Sequence, residues 1–132
     1  LSTKKWGLSA AAWGDYALFG GGSTDYYNSF SASVDIYNIF SKTWTTSQLS
    51  QARNNPVATA ANGIFLFATG MYSIGTSDYY LPTVDIYNIA TGRWSIQQLS
   101  EAKAFCAAST VGNLIFIGGG ANEQIVSNRI DV

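Results

Sequence analysis

At 132 residues, 47% hydrophobic and 14% aromatic, the chain has the composition of a globular domain rather than a disordered one. Seven basic residues against eight acidic ones leave a formal charge of -1, without the cationic excess that nucleic-acid or anionic-lipid surfaces need. It has no histidine and a single cysteine, Cys106, and no apolar run approaches the roughly 20 residues that span a bilayer. Composition therefore argues against a disulfide framework, an imidazole metal site and membrane insertion.

Taken in order, the first predicted strand is small and apolar, residues 8–13, and the second is an apolar run that ends in Gly20, Gly21 and Gly22. A long polar stretch, residues 22–33, leads to an alternating strand with Val34 and Ile36 on one face and Asp35 and Tyr37 on the other. Ser41-Lys42 marks a turn, and a fourth strand, residues 43–48, starts at the tryptophan.

The same succession then returns. Strands are predicted over residues 57–61, 64–67, 84–89 and 93–98, with Asn62-Gly63 and Thr91-Gly92 as turns and residues 71–82 as a second long loop. A third pass brings residues 106–111, the Gly112-Asn113 turn, residues 114–117 and Ile130-Asp131-Val132. No window sustains a helical apolar stripe, so the chain is all-β.

These passes are copies of one unit. Val34-Asp35-Ile36-Tyr37-Asn38-Ile39 recurs 50 residues on, as Val84 to Ile89, and Trp44 recurs as Trp94 at the same offset. The units run 1–48, 49–98 and 99–132, about 2.6 copies of the period.

The unit resembles the kelch repeat. The residues that carry the resemblance are the glycine doublets Gly21-Gly22 and Gly119-Gly120, and the aromatic pairs Tyr37 with Trp44 and Tyr87 with Trp94. The second unit keeps only Gly70 of its doublet, which leaves its local turn geometry open. The resemblance implies β-propeller blades, each a four-stranded antiparallel sheet, set radially around a channel and together forming one incomplete propeller domain. The landmark glycines and aromatics are expected to be structural, with the rings filling the space between blades.

Blades bury their faces against neighbours, so closure is expected from further blades of a longer chain or from other copies of this one. The missing initiator methionine fits a processed, excised or incomplete sequence. The charged fraction of 11%, with many Ser, Thr and Asn, leans towards a secreted or cell-surface setting.

The loops after the second strand share a motif, Asp25-Tyr26-Tyr27 in one unit and Asp78-Tyr79-Tyr80 in the next. Tyr-rich loops with Ser and Gly supply rigid contact area and adaptable hydrogen bonds, although these rings are equally suited to covering the blade rim. Lys5, Arg53 and Lys103 fall at equivalent positions before each first strand. They offer either a ring of donors for an acidic partner or, more simply, side chains with heads in water. Asp35, Asp85 and Asp131 repeat likewise, and are expected to be solvated or paired with backbone.

No catalytic constellation is present, since Cys106 lies in an apolar strand without a histidine and the glycine clusters lack the Lys and helix of a phosphate loop. The sequence thus predicts a non-catalytic module that binds a protein or peptide, with no cofactor or metal. A self-assembling propeller piece and sugar stacking on Tyr26, Tyr27, Tyr79 or Tyr80 are the alternatives.

Overall fold

Three antiparallel sheets follow one another along the chain, in a computed structural model that describes residues 1–26 and 29–132. The first comprises β1 (Trp6–Trp13), β2 (Tyr16–Ser23), β3 (Ser33–Asn38) and β4 (Thr43–Gln48), adjacent in that order. In the second, β5 (Val57–Ala61), β6 (Ile64–Ala68), β9 (Thr83–Asn88) and β10 (Arg93–Gln98) repeat the arrangement. The third consists of β11 (Ala107–Val111), β12 (Leu114–Gly118) and β13 (Ile130–Asp131).

Local sequence sets the connections. Asn62 and Gly63, with φ of 50° and 77°, make the doubly left-handed turn that matches strand twist in a tight hairpin. Between third and fourth strands, the Asn38 and Asn88 side chains accept backbone N–H groups of the turns, from Ser41 and from Ala90 and Thr91.

The interval between β6 and β9, expected as a loop, holds a separate hairpin of β7 (Met71–Ile74) and β8 (Ser77–Tyr80), turning at Gly75. Met71 is tied to Asn54 by a pair of backbone hydrogen bonds, which anchors the hairpin at the entry to β5.

The core lies between blades rather than within them. Leu18, Val34 and Ile36 of the first blade pack with Leu49, Phe65 and Phe67 of the second, with Tyr87 and Trp94 closing the edge. On the other side of the second sheet, Leu66, Ala68 and Val84 meet Ile117 of the third, with Ile86, Leu99 and Ile115 around them. Alternation along each strand is what lets one sheet serve two interfaces: Phe65 and Phe67 point one way, Leu66 and Ala68 the other.

The doublet glycines have a shared reason. A Cβ on Gly22, Gly70 or Gly120 would come within 2.7, 2.8 and 2.6 Å of the carbonyl oxygens of Trp6, Asn54 and Ala104, and all three residues have left-handed φ. Thr69 adopts the same hand, at φ 61°, as Gly21 at 73° and Gly119 at 69°. The second blade therefore keeps the turn that its sequence had left open.

Candidate functional site

The start of each first strand and the loop after each second strand meet at one end of the blade. Gly22 donates to the Arg53 carbonyl, Asn54 pairs with Met71, and Ala104 pairs with Ala121. Beneath that end sits a threefold-repeated ion pair. Lys5 Nζ lies 3.0 Å from Asp35, Arg53 2.6 Å from Asp85, and Lys103 Nζ 3.4 Å from Asp131.

 The Arg53 contact is made through Nη2, and all three cationic side chains are fully buried. Each aspartate also accepts the backbone N–H of the residue three before its cation, Ser2, Ser50 or Ser100. The segment entering each first strand is in this way latched to the third strand of its own blade.

The expectation of solvent-facing cationic heads is not met at these positions. Burial would be prohibitive for an isolated charge, and the aspartate with surrounding carbonyls is what makes it tolerable. Arg53 donates to the Thr69, Thr83 and Gln51 carbonyls as well as to Asp85, and Lys5 to Ser33. The aspartates do pair with backbone, as expected, and each in addition faces a cation.

Burial pushes the Asp35 carboxyl up, but the hydrogen bonds from Ser2 and the bond and charge of Lys5 outweigh it, leaving the group below its ordinary value. Asp131 is lowered in the same way, by Ser100 and Lys103 against burial. Burial raises the Cys106 thiol, with only partial opposition from Thr69 and Lys103, which disfavours the reactive thiolate.

Above the latches, the end of each blade presents exposed apolar residues. In the first blade Tyr26, 85% exposed, stacks on Trp6 with ring centroids 5.7 Å apart and 24° between planes. The Trp6 Nε1–H donates to the Asp25 carbonyl at 2.8 Å, and the Asp25 carboxylate accepts from the Ser29 amide and hydroxyl. Tyr27 lies outside the described residues.

The second blade offers Tyr79, stacked on Tyr72 across the hairpin at 5.2 Å and 15°. Asp78 accepts the Ser73 hydroxyl, and Tyr80 is half-buried opposite Met71. The third blade exposes Phe105, Ile125 and Val126. The shared tyrosine motif thus does not assemble into one cluster, because each exposed tyrosine pairs with an aromatic residue of its own blade.

Trp6, Tyr72 and Phe105 escaped the sequence reading. Phe105 carried a legible signal: it aligns with Gly7 and Asn55, both left-handed residues, and itself has φ 60°. That conformation strains a bulky side chain, and 59% of this one is exposed.

The landmark aromatics sit in the sheets. Tyr37 and Trp44 pair across strands at 4.9 Å, Tyr87 and Trp94 at 4.8 Å. Trp94 donates its Nε1–H to Ser47 of the first blade at 2.8 Å.

No family model matches the chain, and no curated protein matches it in sequence. Among solved structures it is similar to that of YjhT, with a TM-score of 0.84 and 15% identity over 97% of this chain. The match covers 42% of the YjhT chain, so this sequence spans less than half the length of that protein. At such identity the likeness concerns architecture alone, and that architecture is part of a kelch-type β-propeller.

Proposed function

We propose that the chain is a non-catalytic interaction module of the kelch-repeat kind, which binds a protein or peptide through the loop end of its blades. The observation that carries this reading is the repetition of exposed aromatic or apolar groups at that end: Trp6 with Tyr26, Tyr79 stacked on the half-buried Tyr72, and Phe105 with Ile125 and Val126. Rigid aromatic anchors above a tightly latched base lose little conformational entropy on binding, which favours recognition by contact area. The near-neutral charge favours a protein partner over nucleic acid or membrane.

The test is a comparison of wild type with a Trp6→Ala, Tyr79→Ala, Phe105→Asn triple variant, both shown folded by circular dichroism. Cross-linking and mass spectrometry should recover partners with wild type that the variant loses. An unchanged set of partners would defeat the reading.

Two other readings each have an observation in their favour. Self-assembly draws on Trp44, which is 51% exposed although its counterpart Trp94 is packed between blades. Light scattering across a dilution series should then give a discrete oligomer. Carbohydrate binding draws on the Trp6–Tyr26 stack beside a cleft of about 240 Å³ that Thr24 and Asp25 also line. A glycan array would give saturable signals that Trp6→Ala abolishes.

A further inference from the structure

We propose that the outer edge of β8 is a strand-addition site for an extended basic peptide, which pairs its backbone with Asp78 and Tyr80 and sets a lysine or arginine against the Asp78 carboxylate. The inference rests on the loop-end reading and adds the chemistry of the partner to it. β7 and β8 form a sheet of their own. A two-stranded hairpin falls short of the three strands that make a sheet self-sufficient. Both neighbours of the second blade belong to the described structure, and no described residue of either pairs with β8.

The hydrogen-bond pattern decides which backbone groups point outward. Antiparallel pairs alternate between residues bonded to each other and residues whose N–H and C=O face away from the partner strand. Met71 bonds to Asn54 through both of its backbone groups, and Leu81 donates to Gly70. The pairs Met71–Tyr80 and Ser73–Asp78 are therefore the outward-facing ones of the register. On the β8 side their N–H and C=O groups meet no strand among the described residues. No lysine, proline or glycine within Ser77–Tyr80 blunts this edge, and such an edge recognises an extended peptide through main-chain hydrogen bonds.

Charge selects the occupant. Asp78 is exposed, accepts the Ser73 hydroxyl, and has no cation at ion-pair distance among the described residues. The basic residues nearest this end are withdrawn from it: Lys5, Arg53 and Lys103 are buried against aspartates, and Arg129 lies on Glu101. The loops after the second strands carry the acidic Asp25, Asp78 and Glu123, with Lys4 beside Asp25. An opposite charge directly across a strand pair stabilises it, and a like charge opposes it. A second copy of this edge would bring a second Asp78 onto the same small sheet, which disfavours self-pairing. Because side chains alternate, the residue next to the basic one falls on the face of the Tyr72–Tyr79 stack, where an apolar side chain fits.

The probe is a fluorescently labelled heptapeptide of alternating arginine and valine, titrated into the full chain and followed by anisotropy. Saturable binding is expected, with the glutamate-for-arginine peptide about tenfold weaker or more. Methylating the backbone nitrogens of the pairing edge should abolish binding while leaving the charge unchanged. Asp78→Asn keeps an acceptor for Ser73 and should weaken the arginine peptide about two- to fivefold, and Asp78→Lys should reverse the preference between the two peptides. NMR amide shifts should be largest at Asp78 and Tyr80.

Equal affinity of the methylated peptide, absence of saturable binding, unchanged affinity in both variants, or shifts away from β7 and β8 would each overturn strand addition. If the Trp6→Ala, Tyr79→Ala, Phe105→Asn variant nevertheless loses its protein partners, the loop-end reading stands without it; if the partners are retained as well, both fall.

Discussion

Arg53 of the second blade and Lys103 of the third hold the same position, yet their surroundings differ. Arg53 meets Asp85 at 2.6 Å with both side chains buried, and its remaining donors reach carbonyl groups. Lys103 meets Asp131 at 3.4 Å with the aspartate 18% exposed, and Glu101 stands 4.0 Å away as a second anion. A repeated residue is thus not a repeated energy. The latch of the middle blade is dry, while the carboxylate of the third is partly in contact with solvent.

The largest expected effect sharpens that difference. Asp85→Ala strands a buried guanidinium and should cost about 3 kcal/mol or more, read from chemical denaturation. Asp131→Ala should cost less, about 1–2 kcal/mol, because this carboxylate is itself 18% exposed and Lys103 keeps Glu101 nearby. Equal losses would mean that the two latches are equally dry.

The next effect contrasts the two tryptophans. Trp94→Ala removes a ring from the interface between blades and should destabilise by about 2–3 kcal/mol. Trp44→Ala removes a ring with the same cross-strand partner but half its area in water, and should cost less than about 1 kcal/mol.

Acid should erase part of the contrast. Asp35 and Asp131 have folded pKa values depressed below 3.8, so the stability they contribute is present above that value and is lost as pH falls through the lower folded values. Thermal melts below about pH 4 should show a decline that Asp35→Asn blunts.

The smallest effect has the opposite sign. Phe105→Asn gives the left-handed position a residue that tolerates it, as at Asn55, and should stabilise by about 0.5–1 kcal/mol. If Phe105 serves the loop end, the same change weakens partner binding while raising the melting temperature.

Much of the architecture was legible because period and alternation are local properties. The offset from Tyr37-Trp44 to Tyr87-Trp94, the turn at Asn62-Gly63 and the two-faced strand 64–67 can each be recognised from neighbours in sequence. The hairpin of β7 and β8 was not, because its short strands and polar residues resemble a loop until Met71 is tied to Asn54. At the candidate site, Tyr26 and Tyr79 were legible as motif residues, whereas Trp6 and Tyr72 became visible only as their stacking partners.

The repeat, the all-β character and the identity of the equivalent positions each follow from a pattern written along the chain. Tertiary structure alone decided what those positions do. It turned three cations expected at the surface into buried partners of three aspartates, because charge pairing depends on which strands the fold brings within a few ångströms. It also set Trp94 against the first blade with its Nε1–H on Ser47, a contact that depends on what stands beside the sheet.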